Sequence, residues 1–187
     1  MTGVLTGSDA GRPIETLAAP IQELIRRHEL WATTDGAEGE PLDVSSYDLR
    51  KIEGLPRRQL SALVGLHTIF YGMNLDGVAL QAAQLEGADL RACRLSNSDL
   101  RGINLKGARL NYADLRDCNL GPLVLGNGRM LPSSLSGVDA RHADFRGATM
   151  HRVNLRGANL SAANLTGAKL AGADLADANL MGALKGV

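Results

Sequence analysis

The chain has 187 residues and a mass of 19.7 kDa, with 20 basic and 20 acidic side chains and no net charge. Hydrophobic residues at 44% against 21% charged exclude a disordered or polybasic chain, and neutrality argues against coating nucleic acid through bulk charge. Aromatics make up only 3% and glycines number 22, so the core must be built from small aliphatic side chains; two cysteines are too few for a disulfide framework.

The N-terminus, MTGVLTGSDAGR, lacks the basic flank and apolar stretch of a secretory signal, and no apolar run reaches the roughly 18–20 residues that span a bilayer. A cytoplasmic protein with no membrane partner is expected, beginning with a flexible segment over residues 1–12. Residues 13–36 read as helical, because Ile14, Leu17, Ala18, Ile21, Leu24, Ile25 and His28 recur at helical spacing. Pro20 splits the run and opens a main helix to about Ala32, and Thr33-Thr34-Asp35-Gly36 is the stop. The helix is expected to cap the rest of the chain, packing its apolar stripe and Trp31 on the first coil. A membrane-surface or partner-docking helix is disfavoured, since Glu15, Glu23 and Glu29 balance Arg26 and Arg27.

Residues 37–69 are transitional. Val44 and Leu49 keep a five-residue step, and Leu55, Leu60, Gly65 and Phe70 come after them shifted by one. This predicts an imperfect first coil with a bulge near Lys51–Gly54; a short helix around Pro56–Leu66 is the competing reading.

From Phe70 to Leu180 every fifth residue is apolar: of 23 positions, 18 are Leu, two Phe, two Met, and only Ala140 departs. Two residues earlier Ala fills 11 of 23 places, one residue earlier, from Asn74 to Asn179, Asn or Asp fills 13 of 22, and two residues later Gly fills 11 of 23. The unit is A-(D/N)-L-x-G, and no insertion breaks the count. Five residues advance an α-helix by about 140°, which scatters the leucines, and a continuous strand would send every second Leu to the opposite face. A short extended step followed by a turn, once per repeat, points the small residue and the Leu inward together. Gly supplies the corner and Asn/Asp the side-chain-to-backbone hydrogen bonds. The result is a solenoid with coils about 4.8 Å apart.

At Gly121–Ser136 the centres persist as Leu125, Met130 and Leu135, but Val124, Arg129 and Ser134 replace Asn/Asp, and Pro122 and Pro132 fall at corners. The coil is expected to continue with a local irregularity; a functional loop is the other reading. The last residues, LMGALKGV, supply no covering element, so an apolar coil end and an end-to-end homodimer are expected.

The stretches GADLRACRLSNSDLRGINLKGARLNYADL and NLRGANLSAANLTGAKLAGADLADANL resemble the pentapeptide repeat family. The resemblance covers about two-thirds of the chain, from near Phe70 to Gly182. It implies a mainly β fold, a right-handed four-sided β-helix with four pentapeptides per coil over residues 70–187. It implies little about function: the best understood members resemble duplex DNA in shape and charge and bind DNA gyrase.

Sites for chemistry are absent from the sequence. Cys93 and Cys118 both occupy the small inward slot and read as buried, reduced thiols. His28, His67, His142 and His151 share no ligand spacing, and no HExxH, paired-Cys, GxSxG or P-loop pattern occurs, so no metal, cofactor or catalytic residue is assigned. Sorting outward positions at four repeats per coil gathers Arg91, Arg109, Arg129, Arg152 and Lys169 against only Asp89, with Tyr71, Tyr112, Leu131 and His151 beside them. The adjacent side collects Asp76, Asp114, Asp117, Asp174 and Asp177 against Arg94, Arg116 and Arg156. Arg and Tyr are enriched at interface hot spots. The expected function is therefore a non-catalytic interaction or scaffold module binding a protein partner through this basic side. Charge reversal at Arg91 and Arg109 is then expected to abolish binding and leave the melting temperature unchanged. The alternative is a DNA mimic that binds DNA gyrase or topoisomerase IV, which needs a continuous acidic surface; direct nucleic-acid binding lacks the stacked aromatics it requires.

Overall fold

The computed structural model describes residues 11–126 and 128–185. In chain order it holds β1 (Arg12–Pro13), a 3-10 turn (Ile14–Thr16), α1 (Ile21–Thr33), β2 (Tyr47–Asp48), β3 (Leu123–Val124) and β4 (Met130–Leu131). Almost everything else is a series of single parallel bridges, one per pentapeptide. The expectation for residues 1–10 lies outside the described residues. Arg12 and Pro13 are part of the fold, paired in parallel with Tyr47 and Asp48.

The bridges line up as four ladders. Ladder 1 runs Asp43, Val64, Gln84, Asn104, Ser134, Asn154, Asp174. Ladder 2 runs Asp48, Ile69, Asp89, Arg109, Asp139, Asn159, Asn179. Ladder 3 runs Asn74, Arg94, Asp114, Asp144, Asn164, Leu184, and ladder 4 runs Gln59, Ala79, Asp99, Asn119, Thr149, Lys169. The usual rung-to-rung step is 20 residues, four pentapeptides, which makes the chain a β-helix. The first step on ladders 1 and 2 is 21, so one extra residue lies between Asp48 and Gln59, and residues 56–66 hold turns and bridges with no helix.

Backbone hydrogen bonding explains the repeat. A buried peptide N–H must find an acceptor, and around Asp89 each of the five in a repeat does. The N–H of Asp89 donates to the Thr68 carbonyl in the previous coil, and those of Leu90 and Ala92 donate to Arg109 and Asn111 in the next. The N–H of Cys93 closes a turn on the Leu90 carbonyl. The fifth, that of Arg91, donates to Asp89 Oδ1. Asn74, Asn104, Asp114, Asn154, Asn164 and Asn179 accept the same bond two residues on, which is why Asn or Asp dominates the slot. The second turn residue has positive φ on nearly every rung, for example Gly107 at 63° and Gly147 at 68°.

Leu, Phe and small side chains fill the interior. Leu75 through Leu120, Leu135, Phe145 and Leu155 are buried, and so are the small residues Ala83, Ala88, Ala108 and Ala113. Each buried Leu contributes about 1.5–3 kcal/mol. Cys93 and Cys118 are free thiols in this core; burial pushes Cys93 up to about 12 and raises Cys118 further.

Helix α1 lays Ile21, Leu24, Ile25 and His28 toward the first coil. Trp31 does not join that stripe: it stacks on His28 at 5.6 Å and lies over Gly36. The stop is a left-handed turn, with Asp35 at φ 50° and Gly36 at 83°, the Gly36 N–H returning to the Trp31 carbonyl. His28 is buried, and its Nδ1 accepts from the Leu42 N–H at 3.0 Å, which ties helix to coil through a neutral ring. Burial holds its pKa below the ordinary 6.5. The unfolded chain therefore takes up the proton first as pH falls. This contribution to stability is complete above pH 6.5 and is lost as pH drops toward the folded value. Thermal melts should show a lower Tm at pH 5 than at pH 7, and His28→Asn, which keeps an acceptor near Leu42, should flatten that difference. An equal drop in the variant would assign the effect to other groups.

The main departure from the sequence reading is at Gly121–Ser136. Ladder steps across this stretch are 30 residues rather than 20: Asn104 to Ser134, Arg109 to Asp139, Asp114 to Asp144, Asn119 to Thr149. Ten residues leave the coil as a hairpin in which β3 and β4 pair antiparallel, Leu123 with Leu131 and Val124 with Met130. Leu125 and Met130 are therefore not core centres, and Met130 is 51% exposed. The cause is Pro122 and Pro132. Both fall on the slot that elsewhere takes positive φ, and proline is fixed near −65° with no N–H to give the next coil. The chain leaves at one proline and re-enters at the other.

Candidate functional site

The hairpin re-sorts the surface. Ten extra residues are half a coil, so positions beyond it fall on the ladder opposite the one an uninterrupted count gives. Of the nine residues expected on one basic side, only Tyr71, Arg91, Arg109 and Tyr112 share ladder 2. His151, Arg152 and Lys169 belong to ladder 4, half a coil away, and Arg129 and Leu131 are on the hairpin. Leu123 and Leu131 lie against Gly102, and Arg152 Nη1 reaches Met130 Sδ at 3.7 Å, so the hairpin lies on the ladder 4 side. The single basic side is thus corrected to two separate groups. The acidic side divides likewise: Asp76, Asp114 and Asp117 stay on ladder 3, while Asp174 and Asp177 move to ladder 1.

Ladder 2 gains residues that the uninterrupted count placed elsewhere. Arg141 and His142 join Tyr71, Arg91, Asn111 and Tyr112 around a shallow groove of about 540 Å³. Tyr71 is 48% exposed and Tyr112 66%. Tyr112 and His142 occupy the second turn slot on successive rungs, and their rings stack at 4.9 Å and 3°. That slot forces both into positive φ, 61° and 58°. A bulky side chain is strained there, and other rungs of ladder 2 carry Gly72, Ala92, Ala162 and Gly182. The Arg91 guanidinium lies over the Tyr71 ring at 5.3 Å.

The arginines are fixed by carboxylates. Asp89 is nearly buried, at 5% side-chain exposure, and binds Arg91 at 2.6 Å and Arg109 at 3.1 Å. Arg141 holds Asp139 through Nε and Nη2, and Asn111 donates to the same carboxylate at 2.8 Å. The Arg141 hydrogen bond keeps the Asp139 carboxyl below its usual range. The same Asp-x-Arg pairing recurs at Asp48–Arg50, Asp99–Arg101, Asp114–Arg116 and Asp144–Arg146. Ladder 2 is therefore charge-paired rather than basic. Reversing Arg91 and Arg109 would put two carboxylates beside Asp89, so that pair of changes should lower stability, contrary to the expectation from sequence.

Ladder 3 alternates in sign. Arg94 pairs with Asp76, and Arg116 and Arg146 bracket Asp144. No continuous acidic strip runs along it among the described residues. At the far end of the coil Leu170, Leu175 and Leu180 are half-buried, and Met181 and Leu184 are exposed. Among the described residues no group of three His, Cys, Asp or Glu side chains could hold a metal, and no helix is long and apolar enough to cross a membrane.

Comparison with known proteins gives the lineage. No curated protein sequence matches the chain. Similar solved structures include the pentapeptide repeat protein Rfr23 from the cyanobacterium Cyanothece 51142, 27% identical over 63% of this chain and 86% of that one, with a TM-score of 0.51. HetL, involved in heterocyst differentiation regulation in Nostoc sp. strain PCC 7120, is 31% identical over 75% of this chain and 60% of its own, at a TM-score of 0.29. QnrB1, a plasmid-mediated fluoroquinolone resistance protein, is 17% identical over 78% and 80%, at 0.47. The Pentapeptide repeats model matches in eight copies over residues 83–121, 133–161 and 158–183. Its one gap, residues 122–132, is the hairpin and its second proline, and with the repeats on either side accounted for the chain belongs to the pentapeptide repeat family.

Proposed function

We propose that the protein is a non-catalytic rod, a closed four-sided coil with α1 as its cap, that binds a protein partner through the groove on ladder 2. Pentapeptide repeat proteins are in general interaction or scaffold modules, and the inward positions of this one are filled by apolar side chains. The observation that carries the reading is the Tyr112–His142 stack. Two exposed aromatic side chains are held in a backbone conformation that costs about 1–3 kcal/mol per residue, at a slot that glycine fills on other rungs. Arg57, His67 and Arg152 take the same backbone conformation elsewhere on the rod, so what sets this pair apart is the exposed, stacked aromatic surface it offers a partner. The alternation of charge on ladder 3 favours this reading over imitation of DNA and binding to gyrase or topoisomerase IV.

Glycine at both positions separates function from folding, because it suits the backbone. A Tyr112→Gly/His142→Gly variant should melt at or above the wild-type temperature and lose its partner in pull-downs from nuclease-treated bacterial lysate. Arg152→Ser, on ladder 4, should retain it. Partner retention by the glycine variant would remove ladder 2 from consideration, and gyrase subunits held equally by all three proteins would favour the DNA-mimic mechanism.

A further inference from the structure

We propose that the ladder 2 groove takes a proline-rich segment in the polyproline II conformation, lying along the rod with prolines seated on Tyr71 and Tyr112. The inference rests on the reading of ladder 2 as the binding face. Spacing is the first support. Tyr71 follows the rung of Ile69 and Tyr112 the rung of Arg109, two rungs apart through Asp89. Rungs about 4.8 Å apart separate the two residues by ~9.6 Å along the axis. One polyproline II turn of three residues at 3.1 Å is ~9.3 Å. An extended strand returns a side chain to the same face every ~6.8 Å, and an α-helix every ~5.4 Å or ~10.8 Å. Tyr71 is a first turn residue and Tyr112 a second, so the segment crosses the ladder on a slant, with the Tyr112–His142 stack as one wall.

Charge is the second support. The arginines of the groove sit on Asp89 and Asp139, so its floor selects neither an acidic nor a basic ligand. Hydrogen-bonding capacity is the third. The carboxylates are occupied, while the guanidinium of Arg141 is a five-donor fork whose bonds to Asp139 take up two, and the tyrosine side chains are exposed. Such a surface suits a ligand rich in acceptors and poor in donors. A prolyl segment has free backbone carbonyls and no N–H, and its rings pack flat on aromatic side chains.

Fluorescence anisotropy of a labelled decaproline, titrated with the full chain, tests this beside a Gly-Ser decamer and a glutamate-rich decamer. The expected result is saturable binding of decaproline alone, weakened about tenfold or more by Tyr71→Ser and by Tyr112→Gly, as loss of an interface aromatic implies, with unchanged melting temperatures. Equal binding by both variants, or preference for the glutamate-rich peptide, overturns the proposal. Failure of decaproline to bind while Tyr112→Gly/His142→Gly still loses its lysate partner overturns the proline ligand and leaves the face. Failure of both removes the face as well.

Discussion

Phe145→Ala is expected to lower folding stability by about 3–5 kcal/mol, the range for a large buried aromatic cut back to a methyl group. Phe145 has no exposed surface, and its column on ladder 3 continues through Leu115 and Leu165, which are also buried. The preceding centre is Ala140, the only alanine among the regular centres. A small centre followed by a large one keeps the volume of the coil, so removing the large one leaves a void with no spare side chain nearby to fill it. Urea denaturation measures the change directly. Phe145→Leu should cost less than about 1.5 kcal/mol. A Phe145→Ala loss no larger than that of the leucine variant would mean that the coil collapses to fill the space.

The second large effect is at Gly39. Its φ is 78°, and a Cβ there would meet the Arg27 carbonyl oxygen and lie 2.7 Å from the Trp31 nitrogen. Both are backbone atoms of α1, so no rotamer change relieves the clash. The Glu40 N–H also donates to that Arg27 carbonyl at 3.3 Å. Gly39→Ala should therefore push the segment after α1 away from the helix and expose the stripe of Ile21, Leu24 and Ile25. A loss of about 2–4 kcal/mol is expected, combining strained φ with overpacking. Hydrogen exchange should localise it to residues 21–42, and uniform loss of protection through the repeats would contradict a local origin. At Gly87 and Gly147 the nearest atoms belong to the His67 and Asp117 side chains, which can swing aside, so the same substitution should cost less there.

The five-residue period made the coil legible in sequence because each slot answers a separate demand: Leu for the interior, Ala for the space beside it, Asx for the fifth N–H, Gly for the left-handed turn. The extra residue between Asp48 and Gln59 was visible as a shift of one in the apolar count. The hairpin was not, since ten residues are two periods and leave the count intact. Its signal was stereochemical rather than hydrophobic. Pro122 and Pro132 stand where every neighbouring rung needs positive φ, and reading them as tolerable corners placed Leu125 and Met130 inside and His151, Arg152 and Lys169 on the wrong ladder. The same miscount hid His142 and Arg141 from Tyr112. Charge pairing was also legible in part, as Asp89-Leu90-Arg91 and Asp139-Ala140-Arg141 place opposite charges two apart on an extended step, on the same side.

The hairpin has a wider meaning for how such a chain can change. Because the interior is nearly the same at every repeat, an excursion of any whole number of pentapeptides leaves the packing intact while turning everything downstream about the long axis. Five residues give a quarter turn, ten a half turn. Here the half turn brought His142 under Tyr112 and made one groove from two stretches of sequence whose uninterrupted count would have kept them on opposite sides. Surface combinations in this architecture can thus be shuffled like the rings of a combination lock, by length alone and without altering a single buried residue.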